Sequence, residues 1–171
     1  VFHYFAYGSV LSPTHAREWC VSHALDVTPF LKGEPARLNG YRLVFDVPSR
    51  FWSGLVADLV PDPKAFVEGV LFTLEDSTRI AVLRKEGVAT GLYREIEETV
   101  TVGDRQVKAS VFLAEPERRV AEGPASFRYA DALVEGARER GLSPQWQRIV
   151  ASVARDDGKP PPPGVSLGVR K

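Results

Sequence analysis

The 171-residue chain sets 22 Lys and Arg against 22 Asp and Glu, a formal net charge of +0, so no net field draws it onto nucleic acid or anionic lipid. With 44% apolar and 26% charged residues it reads as one globular domain long enough to bury a sizeable core. A single cysteine, Cys20, excludes an internal disulfide framework and a cysteine-built zinc site.

That cysteine usage suits a reducing cytoplasm, although an exported protein without disulfides would look the same. No apolar run approaches a membrane span, and no signal-peptide pattern precedes Phe2. The expected partners therefore include neither a membrane nor a nucleic acid. The chain begins at Val1 and contains no Met, so the initiator and any leader are expected to lie outside it.

Residues 2–7 read as an aromatic-rich strand that runs into Gly8-Ser9. Ser12-Pro13 then supplies the N-cap and first position of a helix reaching about Cys20. Residues 24–35, with two prolines and a glycine, read as a loop. Strands are expected over residues 37–46, 54–60 and 66–74, separated by Pro48, Pro61, Pro63 and small residues.

The period then changes. Asp76 or Ser77 can cap a helix that places Ile80 and Leu83 on one face and ends at Gly87. Residues 92–102 alternate again, Gly103-Asp104 turns the chain, and Val107, Val111 and Leu113 continue the pattern as a hairpin. A helix over residues 130–140 closes at Gly141. Ser143-Pro144 opens another, with Trp146, Ile149, Val150 and Val153 on one stripe. Residues 156–171 hold four consecutive prolines and read as a mobile tail, which leaves a single domain over residues 1–155. The sum is an α+β fold, mostly antiparallel strands with helices packed around them.

A strand that stops at Gly8-Ser9 leaves backbone N–H groups free to bind a small anion. Ser9 could be a nucleophile, but no elbow motif surrounds it, and a turn-stabilising or binding role is the simpler reading. His3, His15 and His23 have no ligand spacing, so no metal is expected. Tyr4 and Tyr7 alternate badly with the apolar positions, so one of them is expected to leave the main core. An aromatic strand of this kind is more often packing than a substrate wall.

Glu86 stands immediately before the glycine that ends a predicted helix, where the macrodipole is negative and an ionised carboxylate is disfavoured. A poor local choice of this kind often marks function, here a general base. The plain alternative is a solvated glutamate paired with Lys85 or Arg84.

The run Tyr4-Phe5-Ala6-Tyr7-Gly8-Ser9-x-Leu11, then Glu86-Gly87, then Gly91-x-Tyr93, closely resembles the gamma-glutamylcyclotransferase family. Ala36-Arg37-Leu38, Tyr41-Arg42-Leu43, Gly69-Val70-Leu71-Phe72, Tyr129, Gly136 and Gly141-Leu142 keep the same order, so the resemblance spans about residues 2–155. It implies a small, mostly antiparallel β-barrel flanked by helices. The activity it implies is a lyase- or acyltransferase-type release of 5-oxoproline from a gamma-glutamyl peptide or amine, glutathione among the candidates, with no cofactor.

The family's catalytic glutamate falls on Glu86, and its substrate-binding positions fall on Tyr4, Phe5, Ala6, Tyr7, Gly8, Ser9, Tyr93 and Tyr129. Val10 stands where the family usually has Asn, and Leu83 where it tends to have Asp, which points to altered substrate preference. A silent relative that binds a gamma-glutamyl or amino-acid ligand is the alternative reading. Monomer and homodimer are both left open.

Overall fold

The computed structural model describes residues 1–154, and the tail read over residues 156–171 lies outside them. Five strands close into a barrel: β1 (Phe2–Ala6), β2 (Glu34–Ser49), β3 (Gly54–Leu74), β4 (Tyr93–Val102) and β5 (Arg105–Ala114). Around the ring the order is β1-β3-β2-β4-β5. Neighbours are antiparallel except β1 and β5, which close the ring in parallel through Tyr4 and Ser110. The small, mostly antiparallel barrel flanked by helices is thus the architecture, and closure removes the edges that an open sheet would expose.

Among the described residues five α-helices flank it: α1 (Pro13–Ser22), α2 (Thr28–Leu31), α3 (Arg79–Lys85), α4 (Phe127–Glu139) and α5 (Pro144–Ala151). Phe5, Phe72, Phe112, Leu38, Leu59 and Leu133 are among the large side chains lost from solvent in the core. Among the described residues no helix is long and apolar enough to cross a membrane.

Several elements differ from the sequence reading, each for a local reason. The two strands expected over residues 54–60 and 66–74 are one strand, β3, which carries Pro61 and Pro63 within it. The register against β2 jumps from the pair Asn39–Phe66 to the pair Tyr41–Pro61, so residues 62–65 leave the ladder. A proline is tolerated where pairing is already interrupted. The loop of residues 24–35 contains the single turn α2, with Pro29 in its first turn, where a missing N–H costs nothing.

α4 begins three residues earlier than expected, because Ser126 caps it through the Tyr129 amide. Tyr129 therefore sits inside the first turn of that helix. α3 is short and follows a 3₁₀ turn at Asp76–Thr78, and neither Asp76 nor Ser77 caps it by side chain. Its buried residue is Val82, while Ile80 is 60% exposed, so the expected Ile80–Leu83 face is corrected. Seven residues are too few for a sequence period to fix the phase. α5 ends at Ala151, and Val153 lies beyond it, its carbonyl accepting from the Ala125 amide at 3.0 Å.

Candidate active site

β1 delivers its aromatic residues to one end of the barrel and then stops. A 3₁₀ turn at Ser9–Leu11 follows, and Ser12 caps α1 through the His15 amide at 3.0 Å. The turn is fixed from behind by α4. Glu135 accepts from the Ser12 hydroxyl at 2.7 Å and from the Thr14 hydroxyl at 2.7 Å. Buried Arg140 donates to the Leu11 carbonyl at 3.0 Å and to the Phe30 carbonyl at 2.6 Å. Gly136 allows this approach, since a Cβ there would lie 2.4 Å from the Leu11 Cβ. The Gly8, Ser9 and Val10 amides donate to no backbone carbonyl among the described residues.

Glu86 is the C-cap residue that follows α3. Gly87 follows in the left-handed region at φ 64, a conformation that glycine adopts without steric cost. The Leu92 amide then bonds the Gly87 carbonyl at 3.0 Å and returns the chain to β4. Glu86 is half-buried, and its Oε1 accepts from the Tyr4 hydroxyl at 2.6 Å.

Tyr4, Phe5, Ala6, Tyr7, Gly8, Ser9, Glu86, Tyr93 and Tyr129 all line one cavity of about 350 Å³. Glu86 thus shares a chamber with the Gly8-Ser9 turn. Both Tyr4 and Tyr7 are buried, at 4% and 8% exposure, so the expectation that one leaves the core is corrected. Each gains a polar partner inside: Tyr4 donates to Glu86, and Tyr7 donates to the Phe112 carbonyl.

Four of the chain's five tyrosines meet here. Tyr93 donates to the Ala57 carbonyl at 2.7 Å, whereas the Tyr129 hydroxyl accepts from the Ala57 amide at 3.1 Å. Among the described residues Tyr129 alone of the four keeps an unspent O–H, and a Cβ at Gly8 would lie 3.1 Å from its oxygen. Burial pushes all four hydroxyls above the ordinary tyrosine range, Tyr4 further through the Glu86 charge. They are donors at neutral pH, not bases. Among the described residues the lining holds no other carboxylate and no His or Cys, so Glu86 is the one carboxylate there that can accept a proton. Among the described residues no group of three or more His, Cys, Asp or Glu is arranged to hold a metal ion.

Over 165 aligned residues the chain is 30% identical to gamma-glutamylcyclotransferase of Bos taurus, covering 92% of this chain and 81% of the relative. The chain belongs to the gamma-glutamylcyclotransferase family. The Homo sapiens gamma-glutamylcyclotransferase is 28% identical over 168 residues, covering 91% of this chain and 80% of that relative. Residues 66–149 match the AIG2-like family. A solved gamma-glutamyl cyclotransferase superposes with a TM-score of 0.78 at 24% identity, over 95% of this chain and 94% of that one, which establishes a common barrel.

This gamma-glutamylcyclotransferase-family chain also brings residues to the cavity that sequence reasoning missed. Arg50 and Trp52 arrive from the tip between β2 and β3, Lys85 from the end of α3 and Leu92 from the start of β4. The tip is anchored rather than loose: Ser126 donates to the Trp52 carbonyl at 2.8 Å, and Trp52 donates to the Ser49 hydroxyl at 3.2 Å. A Trp-Ser pair in a turn carries no local signal for this. Its role depends on where the sixteen- and twenty-one-residue strands β2 and β3 place their junction.

Proposed function

We propose that the chain is a cofactor-free gamma-glutamyl cyclotransferase that releases 5-oxoproline, with Glu86 relaying protons. The observation that carries this reading is the Glu86 carboxylate, held at 2.6 Å by Tyr4 in a tyrosine-lined cavity with no other acid in its wall among the described residues.

In such a substrate the α-nitrogen must attack the γ-carbonyl of the same glutamyl group. The new C–N bond closes a five-membered lactam, and the amide bond to the departing amine breaks. The α-ammonium gives up one proton to become nucleophilic and a second as its nitrogen becomes the lactam amide. The departing nitrogen takes both and leaves as an ammonium, so no water or oxidant is consumed. Glu86 moves these protons one at a time.

Because nucleophile and electrophile are tethered, holding the glutamyl chain curled supplies much of the rate. The buried rings of Tyr4, Tyr7, Tyr93 and Tyr129 suit that task. The free amides at Gly8, Ser9 and Val10 and the unspent Tyr129 hydroxyl suit the α-carboxylate or the developing oxyanion.

The test is a panel of gamma-glutamyl peptides and amines with 5-oxoproline read by mass spectrometry. Wild type forms it. Glu86→Gln, folded by circular dichroism, loses about 10²–10⁴-fold in kcat. A folded wild type that forms none, yet is stabilised thermally by these ligands, would favour the silent binder instead.

A further inference from the structure

The catalytic cavity does not end at its own wall. Ser9, Trp52 and Lys85 also line a second groove, of about 600 Å³, that continues between α1 and the β2–β3 tip. Its walls are aromatic. The His15 ring lies 4.9 Å from Trp52 and 6.1 Å from Phe51, and Trp19 closes the side nearer Lys85. Trp52 is the shared partition, packed edge-on against Tyr129 in the first chamber at 5.1 Å. Burial drops the His15 imidazole to about 4, with the Lys85 and Arg128 charges adding to the shift, so at neutral pH that wall is an uncharged ring.

The rim carries the opposite character. Arg50 lines the first cavity, Arg84 and Lys85 line the groove, and none of the three has an ion-pair partner among the described residues. Arg128 lies over the Phe51 and Trp52 rings at 4.6 and 4.8 Å. Among the described residues one carboxylate, Glu18, faces this groove. In a chain with a formal net charge of +0, an excess of unpaired cations beside apolar rings is a local arrangement.

We propose that this groove seats the departing amine, and that the amine it selects is aromatic and bears a carboxylate. The inference rests on the cyclotransferase reading, and it adds what lies beyond the scissile bond. Lys85 adjoins Glu86 in sequence and lines both chambers, so a group leaving the γ-carbonyl beside Glu86 emerges at the Trp52 partition. An aromatic ring there meets Trp52, Phe51 and neutral His15, with edge and face contacts available. An acidic group on the same amine meets the Arg50, Arg84 and Lys85 charges. A cationic polyamine meets the wrong sign, and a small aliphatic amino acid leaves the rings unfilled.

Four conjugates separate these demands: gamma-glutamylphenylalanine, gamma-glutamylphenethylamine (the ring without the carboxylate), gamma-glutamylalanine (the carboxylate without the ring) and gamma-glutamylputrescine. With 5-oxoproline as readout, the phenylalanine conjugate should exceed each of the others by about tenfold or more in kcat/KM. Phe51, 62% exposed, can be changed without touching the core. In Phe51→Ala the ratio of the phenylalanine to the alanine conjugate should fall toward one. In Arg50→Gln the ratio of phenylalanine to phenethylamine should fall. Both are ratios within one protein preparation, so loss of folded material cancels.

If the alanine or putrescine conjugate is processed as well as the phenylalanine conjugate, the groove assignment is wrong and the cyclotransferase reading stands. Unchanged ratios in both variants also overturn the assignment. No 5-oxoproline from any of the four overturns the inference, and the cyclotransferase reading falls with it only if the wider panel of gamma-glutamyl peptides and amines is also silent.

Discussion

At the scale of single residues, the site depends on one short contact. Tyr4 and Glu86 are 82 positions apart in sequence, yet their hydroxyl and carboxylate lie 2.6 Å apart. Tyr4 is itself wedged among Phe2, Phe72 and Phe112, with ring centroids 6.3, 6.0 and 5.7 Å away, so its hydroxyl has little freedom to seek another partner. A hydrogen bond to a charged group contributes about 1.5–3 kcal/mol, and its loss frees Glu86 to leave the position that the proposed proton relay requires. Tyr4→Phe keeps the ring and removes the contact. Its kcat for 5-oxoproline release should fall by about 10- to 100-fold, each tenfold step corresponding to about 1.4 kcal/mol, with the fold retained by circular dichroism. A variant as fast as wild type would mean that Glu86 is held by something other than this hydroxyl.

At the scale of elements, the connection between β5 and α4 straps the barrel beside the two tyrosine-binding groups of Ala57. The Val120 amide bonds the Asp46 carbonyl at 2.8 Å, and the Gly123 amide bonds the Phe45 carbonyl at 2.9 Å. Beneath the strap, Asp46 and Asp58 are 3% and 1% exposed and share one guanidinium: Arg119 Nε is 2.7 Å from Asp46 and 3.2 Å from Asp58. Burial raises the Asp58 carboxyl above its ordinary value. The Ala114 and Leu59 amides oppose this, the Asp46 charge adds to it, and Arg119 counters it. Arg119→Ala leaves two buried carboxylates facing each other. Because the Arg119 side chain is 36% exposed, the low end of the usual cost applies, about 3 kcal/mol. The pH sign follows from the raised Asp58. A folded-state carboxyl above its unfolded value of 3.8 contributes stability that is present below 3.8 and lost as pH rises through the folded value. Urea unfolding should therefore show the deficit of Arg119→Ala largest at pH 7 and smaller at pH 4.5. A gap that widens with acid would rule out carboxylate repulsion as its cause.

At the scale of the whole molecule, the mostly antiparallel strands and two helix starts were legible because local chemistry dictates them, whereas closure into a barrel was expected only from the family resemblance. Ser12-Pro13 and Ser143-Pro144 cap α1 and α5 as read, and Gly103 turns the β4–β5 hairpin at φ 60. The continuity of β3 through Pro61 and Pro63 was not legible, since only the β2 register shows where pairing lapses. The same holds for the site. Tyr4, Gly8, Ser9 and Glu86 could be picked out through their motif order, but Trp52, Arg50 and the Asp46–Asp58–Arg119 cluster exist only once distant strands are brought together. His15 stands at that junction of distant parts. It is carried by α1 and packed on the β2–β3 tip, with Lys85 of α3 and Arg128 of α4 as the charges acting on it. Its imidazole is lowered from 6.5 to about 4, by burial first and then by those two cations. The unfolded chain takes up the proton below about pH 6.5, while the folded protein resists until about pH 4. The stability that His15 contributes is thus fully present above pH 6.5 and drains away between there and pH 4. Because His15 is only half-buried, the full linkage value is discounted for solvent screening to about 1–2 kcal/mol. At this chain length that corresponds to about 2–8 °C in melting temperature. His15→Gln should therefore lose less melting temperature than wild type between pH 7 and pH 4.5, by about that margin, with the two curves approaching each other as pH falls. Parallel curves would mean that the helices do not clamp His15 against the barrel mouth, and the neutral aromatic wall of the groove would go with it.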